Sequence, residues 1–302
     1  MKFQGVLFFP VTPFTPDGSL DEERLARHIT SGVDAGAGGV FVACGTGEFH
    51  ALTSDEIERA TRVAVETTAG RVPVLAAAGG PPPVARDQAA RIERAGADGV
   101  LLLPPYLVSA PQEGLVRYVE EVTAATALPV IFYQRGTARL TETTAARIAA
   151  LPQVTGLKDG IGDIERMHRI VRAVRAVPAG EGFQFFNGLP TAELTAPAYR
   201  GIGVGLYSSA VFAFAPEIAL AFHRALTEDD KALLTTLIDE FYDPLVALRD
   251  EVPGYAVSLI KAGVTLRGLD VGAVRAPLVD PTPEHVARLA KIIDRGLEVA
   301  VA

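Results

Sequence analysis

Asp34-Ala35-Gly36-Ala37-Gly38-Gly39-Val40 and Arg94-Ala95-Gly96-Ala97-Asp98-Gly99-Val100 repeat one phrase, and Tyr199-Arg200-Gly201-Ile202-Gly203-Val204 echoes it. In each copy a helix ends at glycine, which takes the left-handed capping conformation without strain, and a short run rich in branched apolar residues begins. That is the helix-to-strand junction of a repeated βα unit. Working outward, eight such runs occur: Gly5–Val11, Gly39–Cys44, Val72–Ala77, Gly99–Leu103, Pro129–Tyr133, Val154–Lys158, Phe183–Asn187 and Gly203–Tyr207.

Amphipathic stretches separate the runs at Pro83–Arg94, Gln112–Thr126, Glu142–Leu151, Ile164–Val177 and Ala192–Tyr199. Two further helices are expected to start at capping boxes, Ser19-Leu20-Asp21-Glu22 and Thr53-Ser54-Asp55-Glu56. Strand and helix alternating eight times predicts an α/β fold, a (β/α)8 TIM barrel, over residues 1–227. From Glu228 the strand signal stops. Asp229–Leu248, Tyr255–Ala262 and Pro283–Val299 read as helices, with Val252-Pro253-Gly254 and Ala276-Pro277 as breakers, so residues 228–302 are expected to form a helical C-terminal extension.

Composition narrows the chemistry. Of 302 residues, 49% are hydrophobic, enough for a substantial core. Against 28 Lys and Arg stand 36 Asp and Glu, a net charge of −8 with no basic run, which disfavours nucleic acid or an anionic membrane surface as partner. The longest apolar stretch, Ala210–Phe222, is interrupted by Pro216 and Glu217 and is too short to span a bilayer. One cysteine, Cys44, excludes an internal disulfide framework, and the five histidines show neither H-E-x-x-H nor zinc-ligand spacing. Met1-Lys2-Phe3-Gln4-Gly5 leads straight into strand-like Val6–Val11 rather than a signal-peptide core. A metal-free, cytoplasmic protein is expected.

In such a barrel the chemistry sits at the C-terminal ends of the strands. The runs end in Cys44-Gly45-Thr46-Gly47-Glu48, Pro104-Pro105-Tyr106, Tyr133-Gln134-Arg135, Lys158-Asp159, Asn187-Gly188 and Ser208-Ser209. Lys158 is a lone ammonium on an otherwise apolar strand; parity places it on the face of Gly156, which leaves room beside the amine, with Asp159 pointing away. Burial disfavours the ammonium and makes lysine a nucleophile near neutral pH, able to form a Schiff base. Tyr133 shares parity with Arg135, so phenol and guanidinium face one space, and a phenol can relay a proton. Gly45, Thr46 and Gly47 offer amide and hydroxyl donors for a carboxylate, although the tripeptide is equally an ordinary βα turn. No G-x-G-x-x-G, G-K-[ST] or G-x-S-x-G is present. Tyr106 extends the hydroxyl set, and Arg135, Asn187, Gly188, Ser208 and Ser209 are candidates for substrate contact. Glu48, His50 and Asp159 read as structural.

Thr12-Pro13-Phe14, Gly45-Thr46-Gly47-Glu48, Tyr133 and Gly156-Leu157-Lys158-Asp159 together resemble the dihydrodipicolinate synthase and N-acetylneuraminate lyase superfamily of Schiff-base-forming barrels, over essentially the whole chain. The synthase loop carries two consecutive threonines where this chain has Gly45-Thr46, and the synthase's Tyr-Asn-x-Pro-x-Arg is replaced by Tyr133-Gln134-Arg135-Gly136. Cys44-Gly45-Thr46-Gly47-Glu48-Phe49, Tyr133-Gln134-Arg135 and Asn187-Gly188-Leu189-Pro190-Thr191-Ala192-Glu193 are most similar to the 5-dehydro-4-deoxyglucarate dehydratase family. The resemblance implies loss of water and carbon dioxide from a six-carbon keto sugar diacid, giving 2,5-dioxopentanoate. It further implies a covalent Schiff base through Lys158 with no cofactor, and a homo-oligomer, tetramer or dimer, in which Tyr106 reaches a neighbouring subunit. A pyruvate-releasing aldolase or a synthase-like enzyme on the same barrel, and a non-catalytic sugar-acid-binding regulator, are the competing expectations.

Overall fold

The structure, a computed structural model, describes residues 2–301. Eight parallel strands close into one barrel in sequence order: β1 (Leu7–Phe8), β2 (Val40–Val42), β3 (Val74–Ala78), β4 (Gly99–Leu102), β5 (Val130–Gln134), β6 (Val154–Asp159), β7 (Gln184–Asn187) and β8 (Leu206–Ser209), with β8 pairing back onto β1. Each overlaps its expected run. β8 begins three residues late, because Gly203 takes a positive φ of 88° in closing the preceding helix.

Eight helices wrap the barrel: α1 (Glu22–Asp34), α2 (Ser54–Thr68), α3 (Pro82–Arg94), α4 (Gln112–Thr123), α5 (Glu142–Ala149), α6 (Ile164–Arg175), α7 (Ala196–Gly201) and α8 (Pro216–Glu228). The Thr53 capping box forms as expected: its hydroxyl accepts from Glu56 N–H at 3.2 Å, and the Glu56 carboxylate accepts from Thr53 N–H at 2.9 Å. The first box does not form. Asp21 caps α1 instead, accepting from Arg24 N–H at 2.9 Å, because a turn at Thr15–Ser19 already occupies the backbone of Ser19.

The extension comprises α9 (Lys231–Leu237), α10 (Asp243–Asp250), α11 (Tyr255–Leu266) and α12 (Pro283–Val301), with a π-helical turn at Ile238–Tyr242 joining α9 to α10. It packs into the barrel's own core rather than standing apart. A Cβ at Gly296 of α12 would lie 2.4 Å from Phe241 Cδ2 and 2.6 Å from Ile218 Cδ1 of α8, a close approach only glycine permits. Glu48, at the end of the β2 loop with φ of 59°, makes a buried ion pair at 2.9 Å with Lys261 of α11 and accepts from Arg275 N–H at 2.8 Å. The loop that starts the candidate anion pocket is thereby fixed to the extension, in keeping with a structural role for Glu48. No helix among the described residues is long and apolar enough to cross a membrane.

Candidate active site

Register decides which strand-end side chains meet. Adjacent parallel strands place partners on the same face, and β5 pairs with β6 as Tyr133 with Lys158 and Gln134 with Asp159. Tyr133 and Lys158 point into the barrel mouth together. The ring of Tyr133 centres 4.6 Å from Lys158 Nζ, and Phe9, at the end of β1, closes the other side at 4.1 Å. Lys158 is only 6% exposed, and burial pushes its ammonium down to about 8; Arg135 reinforces this, while Cys44 opposes it. Burial likewise pushes the Tyr133 phenol up to about 12, so it keeps its proton at neutral pH; its hydroxyl donates to Gly188 C=O at 2.5 Å. Gly188 provides the clearance. A Cβ there would stand 2.5 Å from Lys158 Cε and 2.8 Å from Tyr133 Cε2.

A cavity of about 430 Å³ opens above these groups. Gly45, Thr46, Tyr106, Tyr133, Arg135 and Lys158 line it, as do Gly188 and Ser208. In the β2 loop, Glu48 N–H donates to Gly45 C=O and Phe49 N–H to Cys44 C=O, which leaves the N–H groups of Gly45, Thr46 and Gly47 without a protein acceptor among the described residues. Such a run of free amides suits a carboxylate. Gly47 lies beneath the lining, its carbonyl held by the Thr12 hydroxyl at 2.6 Å. Arg135 Nη1 comes within 3.7 Å of the position a Cβ on Gly45 would take, so the guanidinium crosses the mouth toward the same loop.

Three expected substrate contacts, Gly47, Asn187 and Ser209, lie outside this lining and are corrected. Asn187 pairs in register with Asp159, on the face away from the cavity. Its amide donates to Ala192 C=O at 3.0 Å and Thr195 Oγ1 at 2.8 Å while its oxygen accepts from Leu189 N–H, so it shapes the β7 loop. Ser209 points outward by the same parity; its hydroxyl donates to Glu193 at 2.5 Å and accepts from Phe212 N–H. Ser208, one residue earlier, faces in. Asp159 is also structural, receiving bonds from Gln134 at 2.7 Å and from Tyr199. Burial pushes Glu193 up to about 7.

Sequence reasoning missed the roof. Leu245, Arg249, Tyr255, Val257 and Ile260, all from the extension, line the cavity together with Thr191 of the β7 loop. Arg249 sits in Leu248-Arg249-Asp250-Glu251, a segment that reads as an ordinary solvated helix end, and nothing local marks it as facing a cavity. The lining contains no Asp or Glu, although the chain as a whole is acidic. Among the described residues no group of three or more His, Cys, Asp or Glu is arranged to hold a metal ion. The arrangement is suited to capture of a carbonyl compound bearing negative charge.

Comparison with known proteins accords with this geometry. The family model for the dihydrodipicolinate synthetase family matches residues 2–295. A Streptomyces coelicolor protein named probable 5-dehydro-4-deoxyglucarate dehydratase 1 is 59% identical over 97% of this chain and 92% of its own. An Azotobacter vinelandii protein named probable 5-dehydro-4-deoxyglucarate dehydratase is 45% identical over 96% and 94%. The crystal structure of dihydrodipicolinate synthase from Oceanobacillus iheyensis superposes with a TM-score of 0.88 at 25% identity, covering 97% of this chain and 96% of that one. A barrel with a depressed lysine on β6 beside the tyrosine of β5, and a family match over nearly its full length, lead to one conclusion: the chain belongs to the dihydrodipicolinate synthetase family.

Proposed function

We propose that this protein is a decarboxylating hydro-lyase that converts 5-dehydro-4-deoxyglucarate to 2,5-dioxopentanoate, carbon dioxide and water. The observation that carries the reading is the placement of Lys158 Nζ between two aromatic rings at the floor of a cavity whose charged lining is entirely cationic. Lys158 attacks the ketone as the free amine, and the carbinolamine loses water to give an iminium. Tyr133, neutral and within the same pocket, supplies a proton to the departing hydroxyl. The carboxylate next to the ketone takes the free amides of Gly45 and Thr46, with Arg135 alongside.

The iminium acidifies the adjacent methylene. Loss of that proton gives an enamine whose electron pair expels the hydroxyl one carbon further on as water. The conjugated iminium left behind accepts the electron pair of the breaking carbon–carbon bond when the remote carboxylate departs as carbon dioxide. Protonation and tautomerisation produce the aldehyde, and hydrolysis returns the amine of Lys158. One covalent intermediate thus serves both losses, with no cofactor.

A homo-oligomer is part of the same reading. Tyr106, Leu107 and Val108 project from the β4 loop as three consecutive exposed apolar side chains, and Leu107 takes a φ of 65°. These residues suit contact with a second copy. Cytoplasmic placement fits a chain whose single cysteine is buried and unpaired.

The test is to mix protein with 5-dehydro-4-deoxyglucarate and quantify carbon dioxide, 2,5-dioxopentanoate and pyruvate together. Equal amounts of the first two support the dehydratase. Pyruvate without carbon dioxide makes the protein an aldolase, and borohydride trapping without any product makes it a binding protein.

A further inference from the structure

We infer that Arg249, with Thr191, anchors the carboxylate remote from the ketone, so that the C-terminal extension supplies the specificity for a diacid. The inference rests on the keto-diacid reading above and adds a residue and an element to it. Lys158, Arg135 and Arg249 are the lysine and arginines of the cavity lining. Lys158 is consumed as the nucleophile. Arg135 reaches across to the Gly45 side, where the free amides receive the first carboxylate. β2 and β6 lie four strands apart in the closed order of eight, so that first grip is opposite the lysine.

Arg249 enters from α10, above the β7 loop. Its Nη1 donates to Thr191 Oγ1 at 2.9 Å, and both residues line the cavity. The Thr191 hydroxyl donates to no acceptor among the described residues, which leaves one O–H for a ligand beside a guanidinium. The other edge of the fork is occupied. Nε and Nη2 of Arg249 donate to the two oxygens of Asp250 at 2.7 and 3.1 Å, and that carboxylate faces solvent outside the lining. Asp250 fixes the plane of the guanidinium and offsets its charge. A carboxylate that must leave as carbon dioxide is better oriented by hydrogen bonds than held by a full ion pair, because extra ground-state stabilisation raises the barrier to its loss.

The test compares 2-oxoadipate with 2-oxohexanoate, six-carbon 2-keto acids that differ in the remote carboxylate. Neither has a hydroxyl to eliminate, so borohydride trapping of the Lys158 adduct, read by mass spectrometry across concentration, reports imine formation alone. Wild type is expected to half-saturate at about 10- to 100-fold lower 2-oxoadipate, the scale of one or two charge-assisted hydrogen bonds. Arg249→Gln should bring the two acids close to parity while leaving 2-oxohexanoate unchanged. A preserved preference, or an equal loss for both acids, overturns the inference, the second because it makes the role purely structural. Should Arg249→Gln not fold, Arg249→Lys decides: a several-fold smaller preference supports the anchor and an unchanged one removes it. Wild type that traps both acids without preference leaves Lys158 standing and the anchor refuted, whereas wild type that traps neither refutes the Schiff-base reading itself.

Discussion

The sharpest consequence of the buried amine is the pH dependence of its first bond-forming step. Lys158 titrates at about 8 instead of 10.5, because burial removes the water that would solvate the ammonium. At a desolvated site the faces of Phe9 and Tyr133 attract a cation by about 2 kcal/mol each, and the net lowering means that the loss of hydration outweighs them. The difference of about 2.5 in pKa corresponds to about 3 kcal/mol. At pH 7 roughly one amine in ten is then free, against roughly one in three thousand for an ordinary lysine, a gain of about 300-fold in reactive nucleophile. The assay is single-turnover imine formation with pyruvate, trapped by cyanoborohydride at time points between pH 6 and 10. The rate should rise about tenfold per pH unit below 8 and level off above it. Phe9→Asn, which places a polar group against Nζ, should move the break toward higher pH and slow the reaction at pH 7. A rate that climbs without a break to pH 10 would refute the argument that burial activates Lys158.

Other groups give independent checks. Lys158→Met should stabilise the fold by up to about 3 kcal/mol below pH 8, and the gain should shrink toward pH 10.5: the unfolded chain binds more protons between those values, so wild-type stability rises with pH through that window. Equal denaturation midpoints for the two proteins at pH 7 would contradict this. Glu48→Gln strips the charge partner from a buried Lys261 ammonium and should cost about 3–5 kcal/mol, read from urea midpoints; an unaltered midpoint would show the pair to be dispensable. Gly188→Ala forces a methyl to within 2.5 Å of Lys158 Cε and should reduce trapping at least about tenfold with unchanged circular dichroism, since a misplaced nucleophile loses its attack geometry. Tyr133→Phe should slow imine formation while retaining the fold, and a single-turnover rate equal to wild type would remove the phenol from the proton path.

The barrel was legible because its signal is local and repeated. A glycine-capped helix followed by a branched apolar run needs no distant partner to be read, and each of the eight strands overlaps its expected run. Lys158 was legible for a related reason: strand parity follows from period 2, and the register puts Tyr133 beside it as parity requires. For Asn187 and Ser209 parity alone was not enough: it says only that neighbours such as Ser208 and Ser209 face opposite ways, and the register between strands decides that Asn187 and Ser209 are the ones turned away from the cavity. That register is set by how the barrel closes, which a single strand does not encode.

The sequence by itself determined the barrel, the lysine and tyrosine that share its mouth and the amide-rich β2 loop, all of which follow from spacings of a few residues. Only the tertiary structure decided what roofs the cavity. Arg249 and Thr191 lie 58 positions apart in the chain yet share a hydrogen bond, and Glu48 meets Lys261 across 213. No periodicity encodes such contacts. They arise from the way α8, the π-helical turn and α12 pack, through close approaches such as that of Gly296 to Phe241, and the resulting angle of the extension sets which of its side chains look down on Lys158.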